Sequence, residues 1–272
     1  MSIVYKPMDI IEVIILGIIQ GLTEFLPISS SGHLVIARDL FHLTDQGIFF
    51  DVMLHLGTFF AVVIYFWTDI IKILSGIFKK GSGEQKLAWW IVLGTIPVVI
   101  IGFLAEDLVS EFFRDALWVG SFLIILGFVF ILIEKKFNSI LQKKELSGLR
   151  WLDVLIIGVA QSIALLPGVS RSGATIVAGM ARGLTRTNAA RFAFLLSLPA
   201  ILGAVVLEGS KLLAENTILN WNEAILGMLF AFASGYLAVY FLMKILKKYT
   251  LFGFALYVIG AGLLVLIARF YF

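Results

Sequence analysis

Six apolar blocks of near bilayer-crossing length dominate this sequence and leave few folds open to it. They run approximately from Asp51 to Trp67, Ala88 to Ala105, Ala116 to Ile133, Phe192 to Leu207, Ala224 to Met243 and Leu251 to Phe270. A helix needs about 20 mainly apolar residues to cross a hydrocarbon core of about 30 Å. Only 14% of the 272 residues are charged and 60% are hydrophobic, against about 25% charged in an average soluble domain. So few charges cannot coat a soluble core of this size. That excludes a soluble enzyme, a disordered chain and a nucleic-acid binder. The sequence pI near 9.0 does not bring nucleic acid back, because the basic residues lie in joints between apolar blocks and form no patch of their own. With no Cys there is no disulfide framework, thiol nucleophile or thiolate metal site. The expected fold class is an all-α polytopic membrane protein, a single integral membrane domain over residues 1–272. A cleavable leader is not expected, since the charged start and small-residue cleavage site are both missing.

Four further apolar blocks are shorter or interrupted, and they come in two pairs. Ile10 to Leu26 stops at Pro27 and Leu34 to Phe41 follows. Leu152 to Leu166 stops at Pro167 and Ala174 to Leu184 follows. Broken backbone at membrane depth is tolerated only where protein buries it or where it lines a cavity. Each pair is therefore read as a re-entrant helix-loop-helix hairpin, although Ile10 to Leu26 could instead span. The breaks resemble each other without a gap: Gln20 falls on Gln161, Ser29 on Ser170, Ser31 on Ser172 and Gly32 on Gly173, an offset of 141 residues. This is the pattern of an internal repeat with a site where two interrupted helices meet. Repeat one covers about 8–133 and repeat two about 152–272. With both hairpins re-entrant, 15 of the 21 Lys and Arg fall on one side, 5 on the other, and Arg171 lies inside. The positive-inside rule places the basic side in the cytoplasm. Both termini and the acidic joint from Glu106 to Asp115 then lie outside, and the two repeats have inverted topology.

Polar residues within the apolar blocks gather at the two breaks. Glu24 ends an apolar helix, and Gln20 lies one turn earlier on the same face. A charge at bilayer depth costs about 2.5–3.5 kcal/mol on insertion scales, so Glu24 needs a cation, a metal or a shared proton. Gln20 could equally be interhelical glue. After Pro27 come Ser29, Ser30, Ser31, Gly32 and His33. Ser31 is placed to cap the next helix, and the free N–H groups, hydroxyls and helix dipole make an anion site. Ser30 and His33 are close enough to bond if the helix has begun. Arg171, in Pro167-Gly-Val-Ser-Arg-Ser-Gly173, has the planar fork that suits a phosphate or carboxylate; a plain ion pair with Glu24 is the alternative. Asp51 and His55, one turn apart, face either this site or the outer interface.

The string Gln20-Gly-Leu-Thr-Glu24-Phe-Leu-Pro-Ile-Ser-Ser-Ser-Gly-His33 resembles the (Glu/Gln)-x-x-x-Glu motif and Ser-rich loop of the undecaprenyl-diphosphatase family, the bacitracin-resistance type of integral membrane phosphatase. Pro167 to Gly173 resembles that family's second motif, and the resemblance covers nearly the whole chain. It implies removal of the terminal phosphate of undecaprenyl diphosphate, recycling the lipid carrier for the cell wall. It also implies dependence on a divalent cation, Mg2+ or Ca2+, with Glu24 as metal ligand. Gln20 stands where some members have Glu, which leaves one acid fewer at the first motif. Asp51 stands where the family often has Glu.

By resemblance, Ser30 is the nucleophile, with His33 and Glu24 to remove or steer its proton; His33 stays open as the covalent residue. Arg171 would clamp the diphosphate, assisted by Gln20, Ser29, Ser31, Ser170, Ser172 and Gly173. The implied partners are a polyprenyl diphosphate and membrane lipids, with no nucleic acid and a homodimer left open. The implied place is the inner, cytoplasmic membrane, with the site open to the outer side. A secondary transporter or flippase for a polyprenyl phosphate or small anion is the alternative, since inverted repeats with broken helices also build transporters. A phosphatidate-type phosphatase is disfavoured, because no His follows Ser170-Arg171 up to Gly183.

Overall fold

The structure is a computed structural model, and it describes residues 8–41, 47–112, 115–137, 144–214 and 220–271. Lys6, Arg114 and Lys143, counted above among the basic residues, lie outside the described residues. The elements are α1 (Ile10–Phe25), α2 (Ser30–Phe41), α3 (Gly47–Tyr65), α4 (Trp67–Gly76), α5 (Gly83–Phe112), α6 (Ala116–Phe137), α7 (Trp151–Ile163), α8 (Arg171–Ala181), α9 (Arg186–Ala214), α10 (Trp221–Ile245) and α11 (Phe252–Tyr271). Among the described residues there is no strand, only an isolated bridge between Lys144 and Leu184. Among the described residues six helices, α3, α5, α6, α9, α10 and α11, are long and apolar enough to cross a membrane. They are the six blocks expected from sequence.

Two boundaries differ from the sequence reading. The block ending at Trp67 is broken at Phe66, whose ψ of 21° leaves the helical region, and a separate ten-residue helix, α4, follows. The acidic joint expected from Glu106 is helical backbone as far as Phe112. Residues 106–112 contain no Gly or Pro to stop a helix, and the apolar window that marks a span says nothing of how far helix continues beyond it.

The broken helices α1 and α7 each pack on an unbroken helix of the other half of the chain, α1 on α10 and α7 on α5. Both contacts need glycine. A Cβ on Gly17 would lie 2.7 Å from the carbonyl oxygen of Gly227, and one on Gly158 only 2.4 Å from that of Gly94. Close backbone approach through small residues is how helices associate where lipid removes the hydrophobic drive. Gly17 and Gly158 are separated by the same 141 residues that relate the breaks. Helices α6 and α11 form an antiparallel pair: Glu134 accepts from the Leu251 N–H at 2.8 Å near one end, and Arg269 lies 3.7 Å from Asp115 at the other.

The basic joints meet at the Glu134 end. Arg186 pairs with Glu134, and Arg182 donates to Asp153 at 2.7 Å. Lys144 also reaches Asp153, at 3.4 Å. Arg191 grips Asp69 of α4 through two bonds of 2.7 and 2.8 Å, and Lys86 donates to the Ser147 carbonyl at 3.0 Å. These pairs hold α8 and α9 to α4, α6 and α7, and so fix the far end of the second hairpin. The core between the helices contains Phe25, Phe130, Phe192 and Phe194, each almost wholly buried.

Candidate active site

Each break is built by a serine. In the first, Leu26 before Pro27 is extended (φ −63°, ψ 140°), as steric conflict with the proline ring requires. Ser29 then takes a left-handed backbone (φ 70°), the one non-glycine residue to do so among the described residues. Such a conformation costs about 1–3 kcal/mol and persists where surrounding contacts impose it. The Ser29 hydroxyl accepts from Gly32 N–H at 3.5 Å and lies 3.4 Å from the Ser31 hydroxyl. The cap on α2 is therefore Ser29, rather than Ser31 as the sequence suggested. Ser31 sits inside the first turn, where its hydroxyl can only support the cap. In the second break, Ser170 accepts from Gly173 N–H at 3.1 Å and lies 3.0 Å from the Ser172 hydroxyl. The same bonds thus recur at the same offset. The two breaks touch, because the Ser172 hydroxyl donates to the Leu26 carbonyl at 3.1 Å.

Glu24 is the centre of the arrangement, with its side chain 3% exposed. It pairs with the Arg171 guanidinium. Its other oxygen accepts from the Ser30 hydroxyl at 2.6 Å and from the Gln20 amide at 3.1 Å. His55 Nε2 stands 3.9 Å from that same oxygen. Of the alternatives for His55, the structure selects the face toward this cluster. Asp51 instead takes the Arg38 guanidinium through both carboxylate oxygens and touches the cluster only through its backbone, whose carbonyl meets His55 Nδ1 at 2.8 Å.

His33 stands beside this cluster without bonding to Ser30. Its Nδ1 meets the Ser29 carbonyl at 2.7 Å, and its Nε2 meets the Tyr257 hydroxyl at 2.8 Å. A carbonyl can only accept, so Nδ1 carries the proton, and in the neutral ring Nε2 accepts from Tyr257. The two rings also stack, with centroids 5.7 Å apart and planes 9° apart. Tyr257 was invisible in the sequence: it is one of seven tyrosines, and no spacing marks it out. Ser30 to Glu24 was equally hard to foresee, since the two are six residues apart across a bend.

Chemically, the cluster holds a hydroxyl already donating to a carboxylate, beside a guanidinium and two helix starts. The first turns of α2 and α8 expose N–H groups at the breaks, and both helix dipoles favour an anion there. Among the described residues no group of three or more His, Cys, Asp and Glu side chains could hold a metal ion unaided. The Gln20 Oε1, however, is buried without a hydrogen-bond partner. Together with Glu24 it supplies the oxygen donors a hard divalent cation prefers.

Comparison with known proteins bears on the same residues. The family described as bacitracin resistance protein BacA matches residues 13–264, which include both breaks. The chain is 40% identical over 265 residues to a protein named undecaprenyl-diphosphatase 1 from Pseudoalteromonas translucida (strain TAC 125), covering 95% of this chain and 98% of the relative. It is 42% identical over 264 residues, with the same coverage, to an undecaprenyl-diphosphatase from Alteromonas mediterranea (strain DSM 17117 / CIP 110805 / LMG 28347 / Deep ecotype).

Proposed function

The chain belongs to the bacitracin resistance protein BacA family, and on that footing we propose that it is a membrane phosphatase that removes the terminal phosphate of undecaprenyl diphosphate. The product, undecaprenyl phosphate, returns to cell-wall synthesis as lipid carrier. The observation that carries this reading is Glu24: one buried carboxylate faces both a cation, Arg171, and a hydroxyl, Ser30, at the contact between two broken helices.

That geometry supports one course for the reaction. Arg171 binds the diphosphate through its planar fork, aided by the N–H groups and hydroxyls at Ser29, Ser31, Ser170, Ser172 and Gly173. Glu24 takes the proton of Ser30 as its oxygen attacks the terminal phosphorus. The new oxygen–phosphorus bond forms as the bond to the bridging oxygen breaks. The proton on Glu24 can pass to the departing undecaprenyl phosphate. Water then attacks the phosphoserine, releasing inorganic phosphate and restoring the Ser30 hydroxyl. The 2.6 Å bond from Ser30 to Glu24 and the two other partners of His33 favour Ser30 over His33 as nucleophile. Transfer of a phosphoryl group depends mainly on positioning and charge neutralisation. A divalent cation, Mg2+ or Ca2+, would be held by Glu24 and Gln20 Oε1 and would neutralise phosphate charge.

The same reading places the protein in the inner membrane. Helices α1, α2, α7 and α8 have 16, 12, 13 and 11 residues, each short of the roughly 20 a crossing needs, which supports two re-entrant hairpins. The cross-packing of α1 on α10 and α7 on α5 supports two inverted repeats. The basic end faces the cytoplasm, and the site opens to the outer side. The test is phosphate release from undecaprenyl diphosphate by purified protein in detergent, with and without a chelator. Chelator-sensitive release is expected. Binding without any release, with or without added Mg2+, would favour the transporter reading.

A further inference from the structure

Two hydrogen bonds and one strained turn tie the Tyr257 hydroxyl to the reacting serine. The hydroxyl donates to His33 Nε2 at 2.8 Å, and His33 Nδ1 donates to the Ser29 carbonyl at 2.7 Å. The His33 backbone N–H reaches the same carbonyl at 3.2 Å, so one residue grips it twice. Ser29 is the left-handed residue (φ 70°), and Ser30, next in the chain, donates to Glu24 at 2.6 Å. We propose that Tyr257 is a positioning residue for phosphoryl transfer: through His33 it holds the Ser29 turn that aims the Ser30 hydroxyl at Glu24. The proposal rests on the phosphatase reading above and makes His33 a strut rather than a base.

Comparison of the two breaks shows what the strut is for. The serine cap of the second repeats that of the first, so the capping bonds alone do not demand a left-handed serine. Ser170 is extended (φ −68°, ψ 121°). The positive φ in its break falls on Gly168 (92°), where glycine takes it without a steric penalty. Ala174 stands at the place of His33, 141 residues on. Its backbone N–H reaches the Ser170 carbonyl at 2.8 Å, and it has no ring to add. Of the two breaks, then, the one whose serine is strained is the one with a ring on that serine's carbonyl. It is also the one that carries the nucleophile, since Arg171 takes the place of Ser30 in the other. A left-handed serine persists where surrounding contacts impose it, and the ring supplies such a contact from outside the turn. Tyr257 decides which ring nitrogen can supply it. A hydroxyl donating to Nε2 keeps the proton on Nδ1, the tautomer that the Ser29 carbonyl needs. The rings stack with planes 9° apart, which keeps the imidazole from turning.

Tyr257→Phe removes the hydroxyl and keeps the stacked ring, which allows a direct test. Steady-state kinetics on undecaprenyl diphosphate would be measured for wild type, Tyr257→Phe, His33→Asn, His33→Gln, His33→Ala and the double variant of Tyr257→Phe with His33→Asn. The amide nitrogen of Asn overlies Nδ1 and can grip the Ser29 carbonyl. That of Gln overlies Nε2 and cannot, and neither amide is a base. The kcat of Tyr257→Phe should fall about fivefold, as one neutral hydrogen bond allows. KM should hold within about twofold, because Arg171 and the loop N–H groups stay in place. His33→Asn should match Tyr257→Phe, with His33→Gln and His33→Ala at least about tenfold lower in kcat. Adding Tyr257→Phe to His33→Asn should cost nothing further. The second readout is 15N NMR of histidine-labelled protein in detergent. His33 is one of three histidines, and its signal is the one missing from His33→Asn. It should show the Nδ1–H tautomer in wild type and a mixture in Tyr257→Phe. Full activity of Tyr257→Phe, an unchanged tautomer, or losses that add in the double variant would each overturn the proposal. So would equal losses in the three His33 variants, which would make the imidazole a base or nucleophile. Failure of wild type to release phosphate would instead sink the phosphatase reading, and the tautomer of His33 with and without the Tyr257 hydroxyl would then decide the strut by itself.

Discussion

At the scale of single residues, Glu24 ties the chemistry together, and its partners separate by the kind of loss each substitution should cause. In the proposed mechanism Ser30→Ala removes the attacking oxygen but leaves Arg171 and the loop N–H groups in place. Substrate affinity should fall by no more than about tenfold, since one neutral hydrogen bond contributes about 0.5–1.5 kcal/mol, while single-turnover hydrolysis should vanish. His33→Ala should slow hydrolysis less completely, because Glu24 already accepts from Ser30. Should Ser30→Ala retain more than about a tenth of the wild-type rate, a factor worth about 1.4 kcal/mol, and His33→Ala none, His33 would replace Ser30 as nucleophile. Arg171→Lys keeps the charge and loses the fork. A drop of at least about tenfold in kcat/KM is expected, with the chain still folded. Equal activity would reduce Arg171 to a counter-charge for Glu24.

At the scale of elements, two devices position the breaks, and each can be weakened apart from the chemistry. The first is the glycine contact between α5 and α7. Gly158→Ala would put a methyl 2.4 Å from the Gly94 carbonyl oxygen, a backbone atom that cannot rotate away. Overpacking of this kind costs about 1–3 kcal/mol, so the thermal midpoint in detergent should fall clearly, whereas Gly253→Ala, with open space around it, should leave it unchanged. A Gly158→Ala protein as stable as wild type would show that the α5–α7 crossing adjusts freely. The second device is Asp153 at the start of α7. It is 1% exposed and accepts from Arg182, Lys144 and the Arg150 N–H. Asp153→Ala leaves all three donors without their acceptor. A loss of about 1–3 kcal/mol is expected, and Asp153→Asn should recover part of it by keeping an oxygen for the Arg150 N–H. Identical unfolding of the two variants would leave helix capping no share in the effect.

At the scale of the whole molecule, charge sets orientation. Because the chain has no Cys, single cysteines can be introduced cleanly. Glu111→Cys should react with an impermeant reagent in intact cells, and Lys80→Cys only after the membrane is opened. The reverse pattern would invert the topology and turn the site toward the cytoplasm. The ion pairs at the basic end, among Glu134, Arg186, Asp153, Arg182, Asp69 and Arg191, bind three successive joints into one surface. That end should therefore resist local opening more than the end holding Asp115 and Arg269, whose side chains are about half exposed. Hydrogen exchange in detergent would show this as slower exchange in α8 and the start of α9 than at the end of α11.

Apolar block length was enough, by itself, to define the six long helices, because the thickness of a bilayer sets a length that composition must satisfy. The 141-residue offset between the breaks was also legible, since a Ser/Gly interruption of an apolar run has no packing reason to recur by chance in register. The pair Gln20 and Glu24 could be read because helical spacing is local. What depended on distance in the chain could not be read. Glu24 and Arg171 are 147 residues apart, so the sequence could offer an ion pair or a phosphate clamp without choosing. Whether His55 faced the site was open until α3 packed beside α1. That Ser30, rather than His33, reaches Glu24 depended on the left-handed turn at Ser29, which a serine does not announce. Tyr257 met His33 only because the fold brings α11 within side-chain reach of α2, and its position in an otherwise apolar helix carries no local signal. Bilayer thickness and helical period act along the chain and are written in it. The meeting of the two breaks is a contact between helices from opposite halves, and packing alone decides it.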